Sequence, residues 1–524
     1  MAAGGLTFAN ASFAPTTSLT LTGPISLGTS GRFLTNNFAA NGGILTLGSA
    51  ASPSTITLPN TAGQTFTVAG TGTTIICDVI QNGAPAIAAT VSYTTSGSVV
   101  LTAQNTYTGD TSMMGTSTSF QIGANSNGLP GPSFTAGPFG TGAITMNSSS
   151  PPILKPIGAD RAISNAITMT TGFFTANGTA SEDPSGNHNL ALNGPITLGT
   201  TGRNLTNNLA GGVALTLGSA VTPSTITLGS TLTIQTQTAG GGSTIINDAI
   251  SGVGGLTVQN SAIVQLNGTS SYTGTTSVTG TGSPKLIVNG SKTNSETVTI
   301  GSVGTLGGTG SIAGDITNSG KIAPGPLTGI GTLTATGTVT MNQTSHLAIE
   351  LSGATSDKLV VGGNLYLFGS SLDVTGVGQG LSWVIATYHG LLLGSQTFSN
   401  VTSGYTVNYG TGANSQITLN KAPSGMNGDF NNDGKVDADD YIIWRKNNGT
   451  NNALVNDSGL GTPVGLAHYT LWRSNSGKPP GSGSGALVDG SAVPEPSGLL
   501  LALLGIIGIG ASGARRAAWG LVSR

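Results

Sequence analysis

The chain reads Leu21-Thr-Gly-Pro-Ile-Ser-Leu-Gly28 near its start, and it repeats this stretch 171 residues later as Leu192-Asn-Gly-Pro-Ile-Thr-Leu-Gly199. A second match follows in the same order, where Pro53-Ser-Thr-Ile-Thr-Leu58 returns as Pro223-Ser-Thr-Ile-Thr-Leu228. The matching segments are short, rich in β-branched residues and closed by small or turn-forming residues, which is the pattern of a strand followed by a turn. The sequence therefore indicates a long repeat of short strands.

The differences between the two copies favour a stacked solenoid over a β-sandwich. The offset drifts from 171 to 170 and then to 165 residues, and the inserted or missing residues fall between strand segments, as they do in the loops of stacked coils. Frequent Thr, Ser and Asn side chains suit ladders of like residues. We predict a mainly β fold, a parallel β-helix over 1–420, with related passes at about 20–112 and 190–277 and a closing part at 296–420.

Family resemblance adds to this prediction. The stretches Val99-Val-Leu-Thr-Ala-Gln-Asn-Thr-Tyr-Thr-Gly-Asp-Thr111 and Val264-Gln-Leu-Asn-Gly-Thr-Ser-Ser-Tyr-Thr-Gly-Thr-Thr276 resemble the autotransporter-associated β-strand repeat. The stretches Gly304-Thr-Leu-Gly-Gly-Thr-Gly-Ser-Ile312 and Lys321-Ile-Ala-Pro-Gly325 are similar to the closing part of passenger domains in that group. The resemblance implies that the β-helix is right-handed.

The composition excludes some classes of function. Only 7% of the residues are charged and the net charge is −2, so the chain has no basic field to attract nucleic acid. Cys77 is the single cysteine, which excludes an intramolecular disulfide framework and a cysteine metal cluster. We therefore expect neither a nucleic-acid partner nor a cysteine-based site.

The acidic residues of the β-helix do not predict an enzyme. Eleven acids are spread over residues 1–420, and only Glu182 and Asp183 are close in sequence. Neighbouring residues of a strand point to opposite faces, and Ser181-Glu-Asp-Pro-Ser-Gly-Asn-His188 is typical of a turn, so we expect a solvated loop there. The histidines His188, His346 and His389 lack a nucleophile motif. A polysaccharide lyase or hydrolase using Glu182 and Asp183 is the weakest alternative.

Acidic residues concentrate after a linker at 421–427. Asp429-Phe-Asn-Asn-Asp-Gly-Lys-Val-Asp-Ala-Asp-Asp440 has the alternating oxygen donors of a loop that wraps one calcium ion, and Gly434 permits the sharp turn at its sixth position. Repulsion among the carboxylates opposes folding without a cation. The predicted ligands at positions 1, 3, 5, 7, 9 and 12 are Asp429, Asn431, Asp433, Lys435 through its backbone carbonyl, Asp437 and Asp440.

The acidic loop closely resembles the calcium repeat of a type I dockerin, since its twelfth residue is Asp and the helix Tyr441-Ile-Ile-Trp-Arg-Lys446 follows it. A dockerin has two such repeats, and the second begins here at Asp457, an offset of 28 residues. The resemblance implies a module over 428–477 and a cohesin-like partner. At positions 3, 5, 9 and 12 the second repeat has lost its ligands to Gly459, Gly461, Gly465 and His468.

The tail begins after a Gly/Ser/Pro linker at 478–492. Val493-Pro-Glu-Pro496 precedes an apolar run from Leu499 to Ala514, about 24 Å long as a helix, and then Arg515 and Arg516. This run predicts a short transmembrane helix with its arginines in the cytoplasm. The tail (493–524) resembles a PEP-CTERM sorting signal. The resemblance implies recognition of Val493, Pro494, Glu495 and Pro496 by an exosortase-like membrane enzyme.

The sequence thus predicts an exported, non-catalytic structural or adhesive protein of the cell surface or extracellular matrix, with calcium as its cofactor and a transient membrane anchor. No secretory signal is visible at Met1–Phe8, so we expect the natural start to lie upstream. The alternative from another class is a dockerin-mediated binding component of polysaccharide-degrading assemblies, with a cohesin-like partner or a polysaccharide as its ligand.

Overall fold

The computed structural model describes residues 4–9, 18–38, 43–238, 240–380, 382–421 and 425–478. The chain divides into two compact units, Met1–Ala422 and Pro423–Arg524. Within the described residues, the first unit contains all 49 strands and the second contains both helices. The protein is therefore mainly β, as the sequence predicts.

The strands of the first unit form three long sheets, named faces one, two and three, and one small sheet. Face one consists of Leu6–Ala9, Arg32–Asn37, Thr65–Gly70, Thr90–Tyr93, Thr111–Met113, Ile144–Met146, Ile167–Met169, Ile196–Leu198, Thr225–Leu228, Ala249–Gly252, Thr269–Ser270, Ser291–Lys292, Ser311–Ile312, Thr332–Ala335, Lys358–Val361, Ser382–Tyr388, Tyr405–Asn408 and Ser415–Lys421. Face two consists of Ser18–Leu21, Ile44–Leu47, Thr73–Ile76, Ser98–Leu101, Ser119–Ile122, Ile153–Pro156, Phe173–Ala176, Arg203–Asn208, Leu232–Thr236, Leu256–Asn260, Thr276–Thr279, Val298–Ile300, Ile316–Asn318, Val339–Met341, Leu365–Phe368 and Leu392–Thr397. Face three consists of Arg161–Ile163, Leu190–Leu192, Ala214–Leu217, Ser243–Ile246, Ile263–Leu266, Lys285–Val288, Thr305–Gly308, Lys321–Pro324, His346–Gly353, Thr355–Ser356, Ser371–Gly378 and Asn400–Val401. The small sheet consists of Ile25–Ser26, Thr55–Thr57 and Val79–Gln81.

Between residues 161 and 401, successive strands visit the three faces in a fixed order, apart from the short strand Thr355–Ser356. Ala214–Leu217 lies on face three, Thr225–Leu228 on face one, Leu232–Thr236 on face two, and Ser243–Ile246 on face three again. Each of these strands pairs in parallel with the strand that visits its face one coil later. Long parallel sheets built in this way are consistent with a β-solenoid.

Like residues stack in register along face one. Ile144, Ile167, Ile196, Ile226 and Ile250 are successive Cα partners in five neighbouring strands, and all five side chains are buried. The residue after each isoleucine is a threonine or serine on the opposite side of its strand. The prediction of ladders of like residues is confirmed.

Corresponding strands of the two sequence copies lie on different faces. Ile25, Ile56 and Ile80 stack in the small sheet, whereas their counterparts in the second copy, Ile196 and its successors, stack in face one. The register within each copy is nevertheless the same. The stretch between the copies is also built of strands on the faces, from Ile144–Met146 to Phe173–Ala176, and it shifts the second copy round by one face.

One apolar core runs through the first unit, from Leu27 to Leu419. At its carboxyl-terminal end the pairing changes, because Ser415–Lys421 runs antiparallel to both Ser382–Tyr388 and Tyr405–Asn408. The last parallel strand of face one is therefore covered by an antiparallel strand from the same chain, which protects an edge that would otherwise be open to intermolecular pairing.

The described residues 425–478 of the second unit form two helices of equal length, α1 (Ala438–Asn447) and α2 (Leu466–Asn475). Asp437 caps the N-terminus of α1 with its side chain, and Gly465 stands at the same place before α2. The small core of this unit consists of Phe430, Leu454 and Val464, with Ile443, Trp444, Leu471 and Trp472 packed against it. Each helix thus directly follows one of the two loops that the sequence singles out.

Candidate metal centre

The first acidic loop closes around its first residue. Asp429 is fully buried, its Oδ1 atom accepts a hydrogen bond from the N–H of Asp433 (3.1 Å), and its Oδ2 atom accepts one from the N–H of Gly434 (2.9 Å). Gly434 has φ of 86°, a left-handed conformation that glycine adopts without strain. The sharp turn predicted at the sixth loop position is therefore confirmed.

The twelfth residue of the loop ties its two ends together. Asp440 is fully buried in the first turn of α1. Its Oδ1 atom accepts from the N–H of Asn431 (3.0 Å), and its Oδ2 atom accepts from the N–H of Asp437 (2.9 Å). With the N-cap bond of Asp437, this makes a capping box, which fixes the start of the helix against the loop.

The remaining predicted ligands line the same loop but are more exposed. Asn431 Nδ2 donates to Asp433 Oδ2 (3.0 Å), and Asp433 Oδ1 accepts from the N–H of Lys435 (2.9 Å). The Asp437 Oδ1 atom accepts from the N–H of Asp439 (3.0 Å). The structure therefore gathers all six predicted positions in one hydrogen-bonded turn, with the carboxylates bound to backbone N–H groups.

The first acidic loop carries excess negative charge around Asp429. Burial raises the pKa of Asp429, the N–H groups of Gly434 and Asp433 lower it, and the charges of Asp440 and Asp433 raise it again, so that its pKa lies above the usual range. The donor set of carboxylate and amide oxygens suits a hard cation such as calcium. In the part of the chain that the structure describes, no three His, Cys, Asp or Glu side chains converge as a formed metal site.

In the second loop, a different set of groups compensates the negative charge of the carboxylate. Asp457 Oδ1 accepts from the N–H of Gly459 (2.9 Å), and Oδ2 accepts from the N–H of Gly461 (2.8 Å). His468 is buried, and its Nε2 atom lies 3.6 Å from Asp457 Oδ2. Burial raises the pKa of Asp457, but the two N–H groups and His468 outweigh it, so that its pKa is lowered. The sequence alone indicates only that a ligand is lost at His468.

Two tryptophans join the loops reciprocally. The Trp444 indole N–H in α1 donates to the carbonyl oxygen of Gly465 (3.0 Å), and that of Trp472 in α2 donates to the carbonyl oxygen of Asp437 (2.7 Å). Each indole thus holds the N-cap residue of the other helix. Both side chains are half-buried and pack against the small core of the second unit.

Glu182 and Asp183 of the first unit contact other side chains of the fold, so the prediction of a solvated loop is wrong for these two residues. Glu182 forms an ion pair with Lys155 (2.9 Å), and Asp183 is buried beside His188 (3.0 Å). The hydroxyl of Ser185 also contacts the Nε2 atom of His188 (3.0 Å). A serine–histidine relay needs the acid on Nδ1 and the serine on Nε2, whereas here both contact Nε2. The contacts of Glu182 and Asp183 therefore stabilise this turn.

The tyrosines of the motif that resembles the autotransporter-associated repeat lie in the core. The hydroxyl of Tyr107 is 2.6 Å from the Thr111 hydroxyl, and the hydroxyl of Tyr272 is 2.6 Å from the Thr276 hydroxyl, with both rings fully buried. The tyrosines of the motif therefore pack in the interior of the coil.

The predicted sorting residues Val493, Pro494, Glu495, Pro496, Arg515 and Arg516 lie outside the described residues. Within the described residues, neither helix has the length and hydropathy needed to cross a membrane. Comparisons with protein-family models, with curated proteins and with solved structures give no significant match.

Proposed function

We propose that this chain is an exported, non-catalytic structural or adhesive protein of the bacterial cell surface or extracellular matrix. The first unit is a right-handed parallel β-helix that supplies an extended scaffold. The observation that carries the proposal is the single apolar core through coils stacked in register from Leu27 to Leu419. Its acidic residues support the same function, because Glu182 pairs with Lys155 and Asp183 contacts His188 within the fold.

The second unit is a dockerin-like module that calcium stabilises. Asp429, Asp433 and Asp440 bring three carboxylates into one turn, where their mutual repulsion favours a bound cation. Asn431, the Lys435 carbonyl and Asp437 complete the proposed ligand set. Bound calcium would supply the positive charge that this turn lacks, while the backbone N–H bonds and the α1 capping box hold the carboxylates in place.

The tail directs the chain to the surface in this proposal. An exosortase-like enzyme recognises Val493-Pro-Glu-Pro496, and the apolar helix anchors the chain transiently before processing. The test expresses the full chain, preceded by a secretory signal, in a bacterium with an exosortase. Surface labelling of intact cells compares the parent, Glu495→Ala, and the linker control Asp489→Ala. We expect surface exposure of the parent and the control, and a several-fold loss for Glu495→Ala. Equal labelling of all three, or of none, contradicts the proposal.

A second candidate is a binding component of polysaccharide-degrading assemblies. The reciprocal hydrogen bonds of Trp444 and Trp472 favour it, because these residues stand 28 positions apart and hold the two repeats together as one module. Calcium-dependent binding of an immobilised cohesin domain, abolished by chelator, would support this candidate. Binding that is absent in calcium would exclude it and leave the structural function.

A further inference from the structure

The second loop of the module keeps the architecture of the first without its oxygen donors. Asp457 stands at the first position as Asp429 does, and both accept two backbone N–H bonds from their own loop. Five carboxylates lie in the first loop and one in the second. The second loop therefore closes with far less negative charge to neutralise.

His468 takes over the capping role of the twelfth position. Its Nδ1 atom accepts the N–H of Gly465 (3.2 Å), just as Asp440 Oδ2 accepts the N–H of Asp437 (2.9 Å). A backbone N–H only donates, so Nδ1 carries no proton and the neutral ring carries its hydrogen on Nε2. A metal bound at Nε2 would require the opposite tautomer, which places a hydrogen on Nδ1 against that N–H.

The other nitrogen of the ring faces the interior of the loop. His468 is only 2% exposed, and in the described part of the chain its Nε2 atom has no hydrogen-bond partner. The nearest acidic oxygen is Asp457 Oδ2, at 3.6 Å. A positively polarised N–H thus lies close to the Asp457 carboxylate, in a loop that has lost its other oxygen donors.

We propose that His468 replaces the second cation, so that an Asp457–His468 contact closes the second loop and the module binds a single calcium ion. The inference rests on the proposed calcium-stabilised module and limits the number of calcium ions that the module binds to one. The lowered pKa of Asp457, to which His468 contributes alongside the Gly459 and Gly461 N–H groups, agrees with a compensated carboxylate.

A double-mutant cycle on the full chain tests the contact. His468→Glu keeps a capping acceptor for Gly465 but places a second carboxylate against Asp457. The cycle measures module unfolding by tryptophan fluorescence in denaturant, with chelator present, for His468→Glu in the parent and in the Asp457→Asn background. We expect His468→Glu to shift the unfolding equilibrium at least 10-fold further in the parent. Equal shifts in both backgrounds overturn the contact. If His468→Glu alone does not fold, its rescue by Asp457→Asn counts as support and failure of rescue counts against.

Calcium stoichiometry separates this inference from the proposed function. Titration calorimetry of the full chain should show one ion, and Asp457→Asn should leave that number unchanged. Two ions on the parent, or a loss of binding in Asp457→Asn, overturn the inference while supporting a calcium module. No binding by the parent contradicts the calcium module, whereas the double-mutant cycle, measured in chelator, reports on the Asp457–His468 contact by itself.

Discussion

Asp248 Oδ1 accepts a 2.6 Å hydrogen bond from the backbone N–H of Ser224, one coil earlier. Asp78 does the same with Ser54 (2.7 Å) in the first copy, and both carboxyl groups are fully buried. In the described residues, the second oxygen of each has no partner. Both copies of the repeat therefore use a buried acid to join successive coils.

The stability of the first unit should depend on pH through Asp248. Burial raises its pKa from 3.8 to about 6, and the Ser224 N–H only partly offsets this. The unfolded chain loses the proton near pH 3.8, while the folded chain keeps it until about pH 6, so the free energy of unfolding falls as the pH rises between these values. The loss approaches roughly 3 kcal/mol. Urea unfolding of the parent and Asp248→Asn at several pH values should show a steeper decline in the parent than in the variant; parallel profiles would refute it.

Gly218 should tolerate alanine poorly. Its φ is 82°, and a Cβ atom there would overlap Asp248 Oδ1. Gly212 has a similar φ of 87° but open space within 4 Å, so Gly212→Ala tests the backbone term alone. We expect Gly218→Ala to cost about 3 kcal/mol and Gly212→Ala about 1–2 kcal/mol in the free energy of unfolding. Equal costs would contradict the packing of Asp248 against Gly218.

The two motif tyrosines should differ in their response to loss of the hydroxyl. Burial raises the pKa of Tyr272 to about 12, against a smaller lowering by Thr276, so the hydroxyl stays neutral. In Tyr272→Phe, the described residues leave the Thr276 hydroxyl without a partner. In Tyr107→Phe, Thr111 keeps its bond to the Phe139 carbonyl (3.1 Å). Denaturant unfolding should show about 2 kcal/mol lost for Tyr272→Phe and about 1 kcal/mol for Tyr107→Phe. The reverse order would contradict this assignment.

Loss of either indole hydrogen bond should lower the stability of the module, but only one of the two losses should lower its calcium affinity. Trp472→Phe frees the carbonyl of Asp437, a proposed ligand residue, whereas Trp444→Phe frees that of Gly465 in the second loop. Each loss should destabilise the module by about 1–2 kcal/mol. Calorimetry should show calcium affinity lowered about 5-fold for Trp472→Phe, which is about 1 kcal/mol, and unchanged for Trp444→Phe. An equal effect of both on affinity would place the ion elsewhere.

Much of the fold could be predicted from the sequence. The short strands and their turns are local features, and the repeat of Ile-Thr-Leu segments indicates which isoleucines stack. The shift of the second copy by one face could not be predicted, because it depends on how many strands the intervening residues form. The core position of Asp78 and Asp248 was also missed, although both copies carry an aspartate at this place.

The first loop was more predictable than the second. Its ligand spacing is a property of consecutive residues, so the turn at Gly434 follows from sequence, whereas the capping of α1 by Asp440 was seen only in the structure. His468 was interpreted as a lost ligand, because only the folded chain brings its ring against Asp457, eleven residues away. A substitution that replaces a ligand by a different kind of partner is visible only in three dimensions.

Calcium titration calorimetry of the full chain tests the account most directly. The parent is compared with Asp433→Ala, which removes a proposed ligand, and with Asp439→Ala, an exposed acid of the same loop outside the ligand set. We expect one ion with a Kd of about 10⁻⁶ to 10⁻³ M for the parent and for Asp439→Ala, and no binding for Asp433→Ala. Absence of binding by the parent, or equal binding by Asp433→Ala, would contradict the assignment of the loop as a calcium site.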